Sequence, residues 1–266
     1  MLTGFIIRLN RFDMENKINI IVPFYNAEKY IERCLFSLVS QRYENFHIYV
    51  INDASTDNSK KLLNKFIDNK KITIINNDKN LTALPNIHNT IINFCEPESI
   101  VALVDGDDSL ANSRVLKVIN KNYNEKDCWI HYGSALWVEE NGNTRRGFES
   151  MYPENEYKEI EKAPFRVSHL RTFRSGVYHK IKEQDPNFNC MKDENGEFYR
   201  SGYDTAIMFR LFNLTPYERV FFCNDVLYHY NFSNPISDHR VDQALQTKID
   251  KCARNKKPFK QIQSYK

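Results

Sequence analysis

Hydrophobic positions in the first half of the chain alternate between short continuous runs and runs spaced as on one face of a helix. The continuous runs are rich in β-branched residues and predict buried strands at 17–22, 47–51, 72–75 and 100–104. Segments with helical spacing lie between them and predict helices at 26–41, 55–69 and 84–94. Strands separated by helices predict a parallel, doubly wound α/β sheet, because parallel neighbours need a crossover connection.

Polar residues follow each of these predicted strands. Asn26 and Asp53 come after the first two, the segment 76–78 after the third, and Asp105 after the fourth. Asn26 is also available as the N-cap of the first helix. Ligands of such sheets bind beyond the carboxyl ends of the strands, so we expect these side chains to converge on one crevice.

Beyond about residue 125 the alternation becomes irregular. Strand-like stretches surround Gly133 and recur at 226–230, and the spacing predicts a helix over 203–214. No repeat or low-complexity linker interrupts the chain, so one continuous α/β unit is expected. The predicted organisation is a dispensable leader at 1–16, a single domain at 17–240 with halves at 17–120 and 121–240, and a basic tail at 241–266.

Composition narrows the class of protein. The 266 residues are 41% hydrophobic and contain no apolar run near the ~20 residues of a membrane span, so no transmembrane segment is predicted. The N-terminal apolar patch is too short for a signal peptide, which favours a cytoplasmic location. Six cysteines without a C-x-x-C pair argue against zinc and dithiol sites. A net charge of +3 gives no reason to expect nucleic acid; the basic tail is either a solvated end or a segment that contacts phosphate or a membrane surface.

The most unusual stretch is VALVDGDDSL, at 101–110, where Asp105, Asp107 and Asp108 fall within four positions. Like charges so close repel, and a cluster of this kind is stabilised by solvent, by helix N-termini or by a bound cation. Leu110 stands where an EF-hand loop requires glycine, so that calcium motif is excluded.

Three interpretations of the cluster remain. It is a solvated turn, the D-x-D of a haloacid-dehalogenase-type phosphatase, or a site where Mg²⁺ or Mn²⁺ bridges protein carboxylate and a substrate diphosphate. No glycine-rich phosphate loop occurs in the chain, which argues against a dinucleotide site and a P-loop.

Taken together, four motifs are specific. NIIVPFYNAEKYIERCLFSLVSQ, YVINDASTDNS, NNDKNLTALPNIHNT and VALVDGDDSL, in this order, resemble family 2 glycosyltransferases of the glycosyltransferase A fold over roughly 17–120. HLRTFR and GYDTAIMF extend the resemblance to about residue 230. The resemblance implies a Rossmann-like, doubly wound, mostly parallel sheet with an irregular acceptor-side second half. It also implies a UDP-sugar donor and a hydroxyl acceptor on a glycan, lipid or protein.

For the donor, the resemblance assigns residues after the first three strands. Pro23, Tyr25 and Asn26 match the loop that lies against uracil and ribose. Asp53 matches the aspartate that accepts from the uracil N–H, with a helix-capping turn residue as the alternative. Asp78 falls where the family reads Asn-x-Gly before a helix, but the glycine is missing here.

For the metal, Asp105 and Asp107 match the two aspartates of D-x-D, hinged by Gly106. The first is expected near the ribose and the second on Mn²⁺ or Mg²⁺. Further ligand candidates are Asp108 through water, His229, and His239. The family often has Arg-x-His just beyond His229, where this chain has Asn-Phe-Ser.

Asp204 in GYDT matches the position of the catalytic base, with an ordinary helix-start carboxylate as the alternative. His169 and Arg171 are candidates for diphosphate or acceptor contacts, against a packed strand. The predicted function is therefore an inverting, metal-dependent glycosyltransferase. The alternatives are an inactive sugar-nucleotide or glycan-binding module and, more weakly, a D-x-D phosphatase.

Overall fold

The computed structural model describes residues 14–266, apart from the side chains of residues 238 and 239. The predicted leader at 1–16 therefore lies outside the described residues except at its end. There, the side-chain amide of Asn16 donates to Asn120 Oδ1 at 2.7 Å and to Asn124 Oδ1 at 2.8 Å. The last residues of the predicted leader are thus attached to the domain.

The strands within this part of the chain form one nine-stranded sheet. They are β1 (Ile18–Phe24), β2 (Phe46–Asn52), β3 (Ile72–Asn76), β4 (Ile100–Leu103), β5 (Ser109–Leu110), β6 (Ile130–Val138), β7 (Thr144–Arg146), β8 (Arg171–Arg174) and β9 (Val220–Asn231). The order across the sheet is β3-β2-β1-β4-β8-β6-β9-β5, with β7 paired to β6.

Ten α-helical segments accompany the sheet in residues 14–266. They are α1 (Ile31–Val39), α2 (Ser59–Leu62), α3 (Ala83–Phe94), α4 (Val115–Lys126), α5 (Glu154–Tyr157), α6 (Ser175–His179), α7 (Ile181–Gln184), α8 (Tyr203–Leu214), α9 (Asp238–Val241) and α10 (Gln243–Asn255). Over the same residues, none of these helices combines the length and apolar content needed to cross a bilayer.

Both faces of the sheet are buried, which explains the continuous apolar runs of the first strands. Ile20 and Val22 belong to one hydrophobic cluster, and Ile21 between them belongs to the other. Side chains alternate between the two faces of a strand, so helices must cover both sides. The predicted doubly wound α/β arrangement is confirmed.

The first four long strands are parallel, and the second half of the chain extends the same sheet with mixed direction. β8 runs antiparallel to both β4 and β6, and β9 runs parallel to β6. β9 then pairs antiparallel with β5, with His229 opposite Ser109. Because β5 directly follows the aspartate cluster, this pairing brings the end of the second half against the end of the first.

The first helix is shorter than predicted. It begins at Ile31 rather than near Asn26, and Tyr30 occupies the N-cap position. Asn26 instead has a φ of 50°, a left-handed conformation that asparagine tolerates better than most residues. Its predicted capping role is therefore wrong, because its side chain instead accepts a hydrogen bond from Thr56 in the loop after β2.

The segment predicted as a basic tail, 241–266, packs on the domain. α10 lies against α8 and buries Ile249 and Ala253 in one of the two core clusters. The buried guanidinium of Arg210 donates to the carbonyls of Ala253 at 3.2 Å and Lys257 at 3.0 Å. Apolar positions four residues apart carry this packing, although lysines dominate the composition of the segment.

Candidate active site

A crevice of about 800 Å³ lies beyond the carboxyl ends of β1, β2 and β4. Its walls bring together most of the residues proposed from sequence, namely Pro23, Tyr25, Asn26, Asp53, Asp105, Gly106, Asp107, His169, Arg171 and Asp204. Asp78 is exposed and lies outside this lining, which Asn80 and Thr82 supply instead. The structure therefore does not bring Asp78 to the crevice.

The loops after β1 and β2 are tied together by Asn26. Its Oδ1 accepts from the backbone N–H of Thr56 at 2.8 Å, and its own N–H donates to Ser55 Oγ at 3.0 Å. These bonds fix the floor of the crevice where a nucleotide base would lie in the predicted site.

Asp53 is buried and already accepts several hydrogen bonds. The backbone N–H groups of Leu81 and Thr82 donate to it at 2.9 and 2.8 Å, and the side-chain amide of Asn77 donates at 2.7 Å. Asp53 therefore holds the loop before α3 and lines the crevice at the same time. Its pairing with uracil stays a prediction.

Gly106 is required by close packing. A Cβ at this position would lie 2.4 Å from Phe24 Cβ, a distance that real side chains do not tolerate. The turn between Asp105 and Asp107 thus lies directly against the end of β1.

Asp105 is held by three side chains from the second half of the chain. His169 Nε2 lies 3.1 Å and Arg171 Nη2 3.6 Å from its Oδ2, and the Tyr203 hydroxyl donates to its Oδ1 at 2.5 Å. Burial acts to raise the pKa of Asp105, but the hydrogen bond and charge of His169, with Arg171 and Tyr203, outweigh it and lower the pKa to about 2. Asp105 is consequently an ionised carboxylate.

The pKa values of the neighbouring Asp107 and Asp108 are shifted in the opposite direction. Burial, followed by the negative charge of Asp105, raises the pKa of Asp107 to about 6. Asp108 is fully buried and accepts from the backbone N–H of Asn231 at 2.6 Å, and burial together with the charges of Asp107 and Asp105 raises its pKa well above the ordinary value. These two carboxyls hold their protons more tightly than a solvated aspartate does.

The cluster has the composition of a divalent-cation site. One ligand atom from each of Asp105, Asp108 and His169 lies within 4.8 Å of the other two. Carboxylate oxygens suit Mg²⁺ and Mn²⁺, and a neutral imidazole nitrogen is a common metal ligand. Burial is the main cause of the raised pKa values of Asp107 and Asp108, and the charges of the neighbouring aspartates add to it. A cation there would offset both effects, so the residues fit a metal.

His229 lies away from this group. Tyr228 and Tyr230 on either side of it both stack on His169, with ring centroids 4.8 Å apart. Because side chains alternate along a strand, His229 is on the opposite face of β9. The structure therefore does not support His229 as a metal ligand, and the side chain of His239 lies outside the described residues.

Arg171 is a buried cation between two carboxylates. Its Nη1 lies 3.3 Å from Asp204 Oδ2. Its Nη2 donates to the Tyr203 hydroxyl at 3.0 Å and lies 3.6 Å from Asp105 Oδ2. Burial acts to lower its pKa, but Tyr203, Asp204 and Asp105 outweigh burial and raise it. Its charge is therefore balanced by protein groups, and its predicted contact with a diphosphate or the acceptor stays a prediction.

Asp204 lies in the first turn of α8, after Gly202, which has a φ of 63°. Its Oδ1 accepts from the N–H of Thr205 at 2.9 Å, and its Oδ2 faces Arg171. A second cavity, of about 440 Å³, shares Asp204 and His169 with the crevice. Asp204 thus stands where the two spaces meet.

Sequence reasoning missed several groups in the crevice. The side-chain amide of Asn234 donates to Asp107 Oδ2 at 2.6 Å, and the backbone N–H of Asp105 donates to the Tyr228 hydroxyl at 3.0 Å. The exposed Arg200 also lines the crevice. These residues are far from Asp105 and Asp107 in the chain. Tyr203, which also contacts Asp105, does lie within a motif that sequence reasoning used, GYDT.

Two proteins of known name share sequence with this chain. The chain is 38% identical over 117 residues to the teichoic acid poly(glycerol phosphate) polymerase of Staphylococcus epidermidis, covering 43% of this chain but only 16% of that protein. It is 26% identical over 223 residues to glycosyltransferase GlyG of Streptococcus pneumoniae, covering 82% of this chain and 71% of the relative.

Among solved structures, residues 1–349 of Staphylococcus aureus TarS superpose with a TM-score of 0.60 at 20% identity, over 81% of this chain and 60% of that one. This likeness confirms the predicted glycosyltransferase A fold. The profile of glycosyl transferase family 2 matches residues 19–182, more than half of the chain. The protein therefore belongs to glycosyl transferase family 2.

Proposed function

We propose that the protein is an inverting, metal-dependent glycosyltransferase that moves a sugar from a UDP-sugar to a hydroxyl acceptor. The observation that carries this proposal is the linked pair Asp105 and Asp204, joined through Arg171 within one crevice. Asp105 belongs to the group of residues that could bind a cation, and Asp204 lines both the crevice and the second cavity.

The donor half of the crevice suits a uridine nucleotide. Tyr25 is 43% exposed in the lining and offers an aromatic face to a base, and Asp53, in the same lining, is a hydrogen-bond acceptor. Arg200 is the exposed cation of the lining and is assigned to the diphosphate. TarS, which has the same fold, has been solved with UDP and with UDP-GlcNAc, which supports the choice of nucleotide.

The residues proposed to hold Mn²⁺ or Mg²⁺ are Asp105, Asp107 and Asp108, with His169 within reach. When bound, the cation neutralises charge that develops on the departing diphosphate. A mannosyltransferase of Pyrobaculum calidifontis, whose structure superposes with a TM-score of 0.55, was solved with GDP-Man and Mn²⁺.

In the proposed transfer, the acceptor oxygen attacks the anomeric carbon from the face opposite the nucleotide. A new carbon–oxygen bond forms while the bond from the anomeric carbon to the β-phosphate oxygen breaks, and that electron pair leaves with UDP. Asp204 accepts the proton of the attacking hydroxyl, with Arg171 and the Thr205 N–H fixing the orientation of its carboxylate. No covalent enzyme intermediate is required.

The test is release of free UDP. The protein is incubated with Mn²⁺ or Mg²⁺, with UDP-Glc, UDP-GlcNAc, UDP-Gal or UDP-GalNAc, and with a mixed panel of glycoside acceptors; GDP-mannose and a chelator serve as controls. We expect metal-dependent UDP release with at least one donor. Tight UDP binding without turnover would indicate a binding module instead, and release of inorganic phosphate would indicate a phosphatase.

A further inference from the structure

The second cavity has an aromatic wall. Trp137 stacks on Phe232 with ring centroids 5.1 Å apart and meets Phe148 edge-on at 5.9 Å. The Arg145 guanidinium lies 4.5 Å from the centroid of Trp137 and 4.9 Å from that of Phe232. These contacts hold the rings in place before any ligand arrives, so the wall is preorganised.

This wall continues to the proposed chemistry. Trp137 contacts Tyr230 at a centroid distance of 5.5 Å, and Tyr230 stacks on His169 at 4.8 Å. Both Tyr230 and His169 also line the donor crevice. A ligand against Trp137 is therefore in a space that opens directly onto Asp204.

Apart from Phe165, most of the remaining lining is polar, and it is not positively charged overall. Gln246 and Thr247 of α10 supply uncharged hydrogen-bonding groups. The charged groups are Asp204, Asp250 and Arg254, and Arg254 Nε is already paired with Asp250 at 2.8 Å. Because Asp250 and Arg254 neutralise each other, Asp204 is the remaining charged group of this lining, and Arg145 lies on the rings of Trp137 and Phe232 outside it. The lining thus has one more carboxylate than cation, which disfavours a negatively charged acceptor.

We propose that this cavity binds the acceptor, and that the acceptor presents a neutral pyranose ring stacked on Trp137 with one hydroxyl directed to Asp204. The assignment rests on the proposed transferase function. A pyranose has an apolar C–H face and a polar hydroxyl edge, which match the aromatic wall and the amide and hydroxyl groups opposite it. A polyol phosphate has no such face and carries a charge of the wrong sign.

Binding is measured first without turnover. The chain has two tryptophans, and Trp129 is buried with 7% exposure, so fluorescence changes on adding a ligand report on Trp137. The protein is titrated with methyl hexopyranosides and, separately, with glycerol 3-phosphate and ribitol 5-phosphate. We expect a saturable change with at least one pyranoside, lost in Trp137→Phe. No response to any pyranoside, or saturation by a polyol phosphate alone, would overturn the inference.

Kinetics with the responding pyranoside then locate the site. Phe148→Ala should raise the acceptor KM about tenfold, the size of one lost ring contact, while UDP affinity stays unchanged. Phe36→Ala is the matched control, because Phe36 is 54% exposed and Phe148 51% exposed, but Phe36 lies on α1 away from both cavities. An unchanged acceptor KM in Phe148→Ala contradicts the inference even when UDP is released. If fluorescence responds but no donor turns over, the proposed function fails and the sugar-binding cavity stands.

Discussion

At the scale of single residues, the site is organised around the buried guanidinium of Arg171. Removing one partner of a buried ion pair leaves a charge without compensation, which is strongly destabilising. Here the cation has Asp105 on one side and Asp204 on the other, at 3.6 and 3.3 Å. Substitution of either carboxylate therefore affects stability as well as chemistry.

Asp204→Asn is expected to reduce turnover by about the 10²- to 10⁴-fold that a general base contributes, because the amide cannot take the proton. UDP affinity should not change. The melting temperature should fall because Arg171 loses a charged partner, but the fall should be limited because Arg171 keeps Asp105 and the Tyr203 hydroxyl. UDP-release kinetics, calorimetry with UDP and thermal unfolding measure the three quantities.

Transfer at the wild-type rate in folded Asp204→Asn would contradict the assignment. The acidic residues of the loop before α8 do not line either cavity and offer no replacement; they are Asp193, Glu194 and Glu197. Asp250, in the lining of the second cavity, would be the next candidate.

Asp107→Asn tests the metal. The substitution removes a negative charge from the cluster, so the tightening of UDP binding by Mn²⁺ should be lost while UDP binding without Mn²⁺ is retained. Titration of UDP at several Mn²⁺ concentrations provides the measurement. Normal metal dependence in this variant would transfer the role to Asp105 and Asp108.

At the scale of elements, Asp53 joins the end of β2 to the loop before α3. Asp53→Ala removes the acceptor of two backbone N–H groups, so we expect weaker UDP binding by about 1 to 3 kcal/mol together with a lower melting temperature. Asp78→Ala is the control, since Asp78 is exposed and outside the crevice lining. Calorimetry that finds unchanged UDP affinity in Asp53→Ala would remove this residue from the site.

β6 carries a pH-dependent contribution to stability. His131 is fully buried, its Nε2 lies 3.1 Å from the Asn122 amide, and burial lowers its pKa to about 4. Because His131 takes up its proton more readily in the unfolded chain, protonation below about pH 6.5 favours unfolding. The folded protein is therefore at full stability above about pH 6.5 and loses stability as pH falls toward 4. The loss reaches about 3 kcal/mol at most.

His131→Gln should therefore show a flatter dependence of unfolding free energy on pH between 7 and 5. Urea unfolding of both proteins at the two pH values makes the comparison. Equal losses in variant and wild type would mean that His131 does not titrate in this way.

The elements of the first half could be predicted from sequence because burial on both faces leaves continuous apolar runs, as in IIV of β1. The start of α1 could not be predicted from sequence, because Asn26 forms hydrogen bonds to Ser55 and Thr56 in a loop and does not cap the helix. The same chemistry favours both outcomes, and tertiary contacts select one.

At the scale of the molecule, α10 supports the start of α8. Ile249 is buried, and its Cγ2 would lie 3.2 Å from a Cβ at Gly202. Ile249→Ala is expected to cost about 2 to 5 kcal/mol of stability and to lower turnover, because the first turn of α8 loses its support. Lys248→Ala, at an exposed neighbouring position, is the control. Thermal unfolding and UDP release test both, and unchanged stability in Ile249→Ala would contradict this role.

The candidate site was predictable residue by residue but not as a set of contacts. Asp105 and Asp107 follow a strand and were found, yet their partners Tyr203 and Asn234 are 98 and 127 residues away. No local pattern connects such pairs. Only the return of β8 and β9 into the sheet brings them together.

The pairing of β5 with β9 has a consequence for folding. The parallel strands β1 to β4 pair with one another within the first 103 residues, whereas the hydrogen bond to Asp108 forms only when the N–H of Asn231 arrives, 123 residues later. Contacts of such separation form late, since a long loop must close before they stabilise anything. During synthesis from the N-terminus, the hydrogen bond to Asp108 cannot form until Asn231 has emerged. We therefore expect the strands of the first half to pair before β9 completes both the sheet and the surroundings of Asp108.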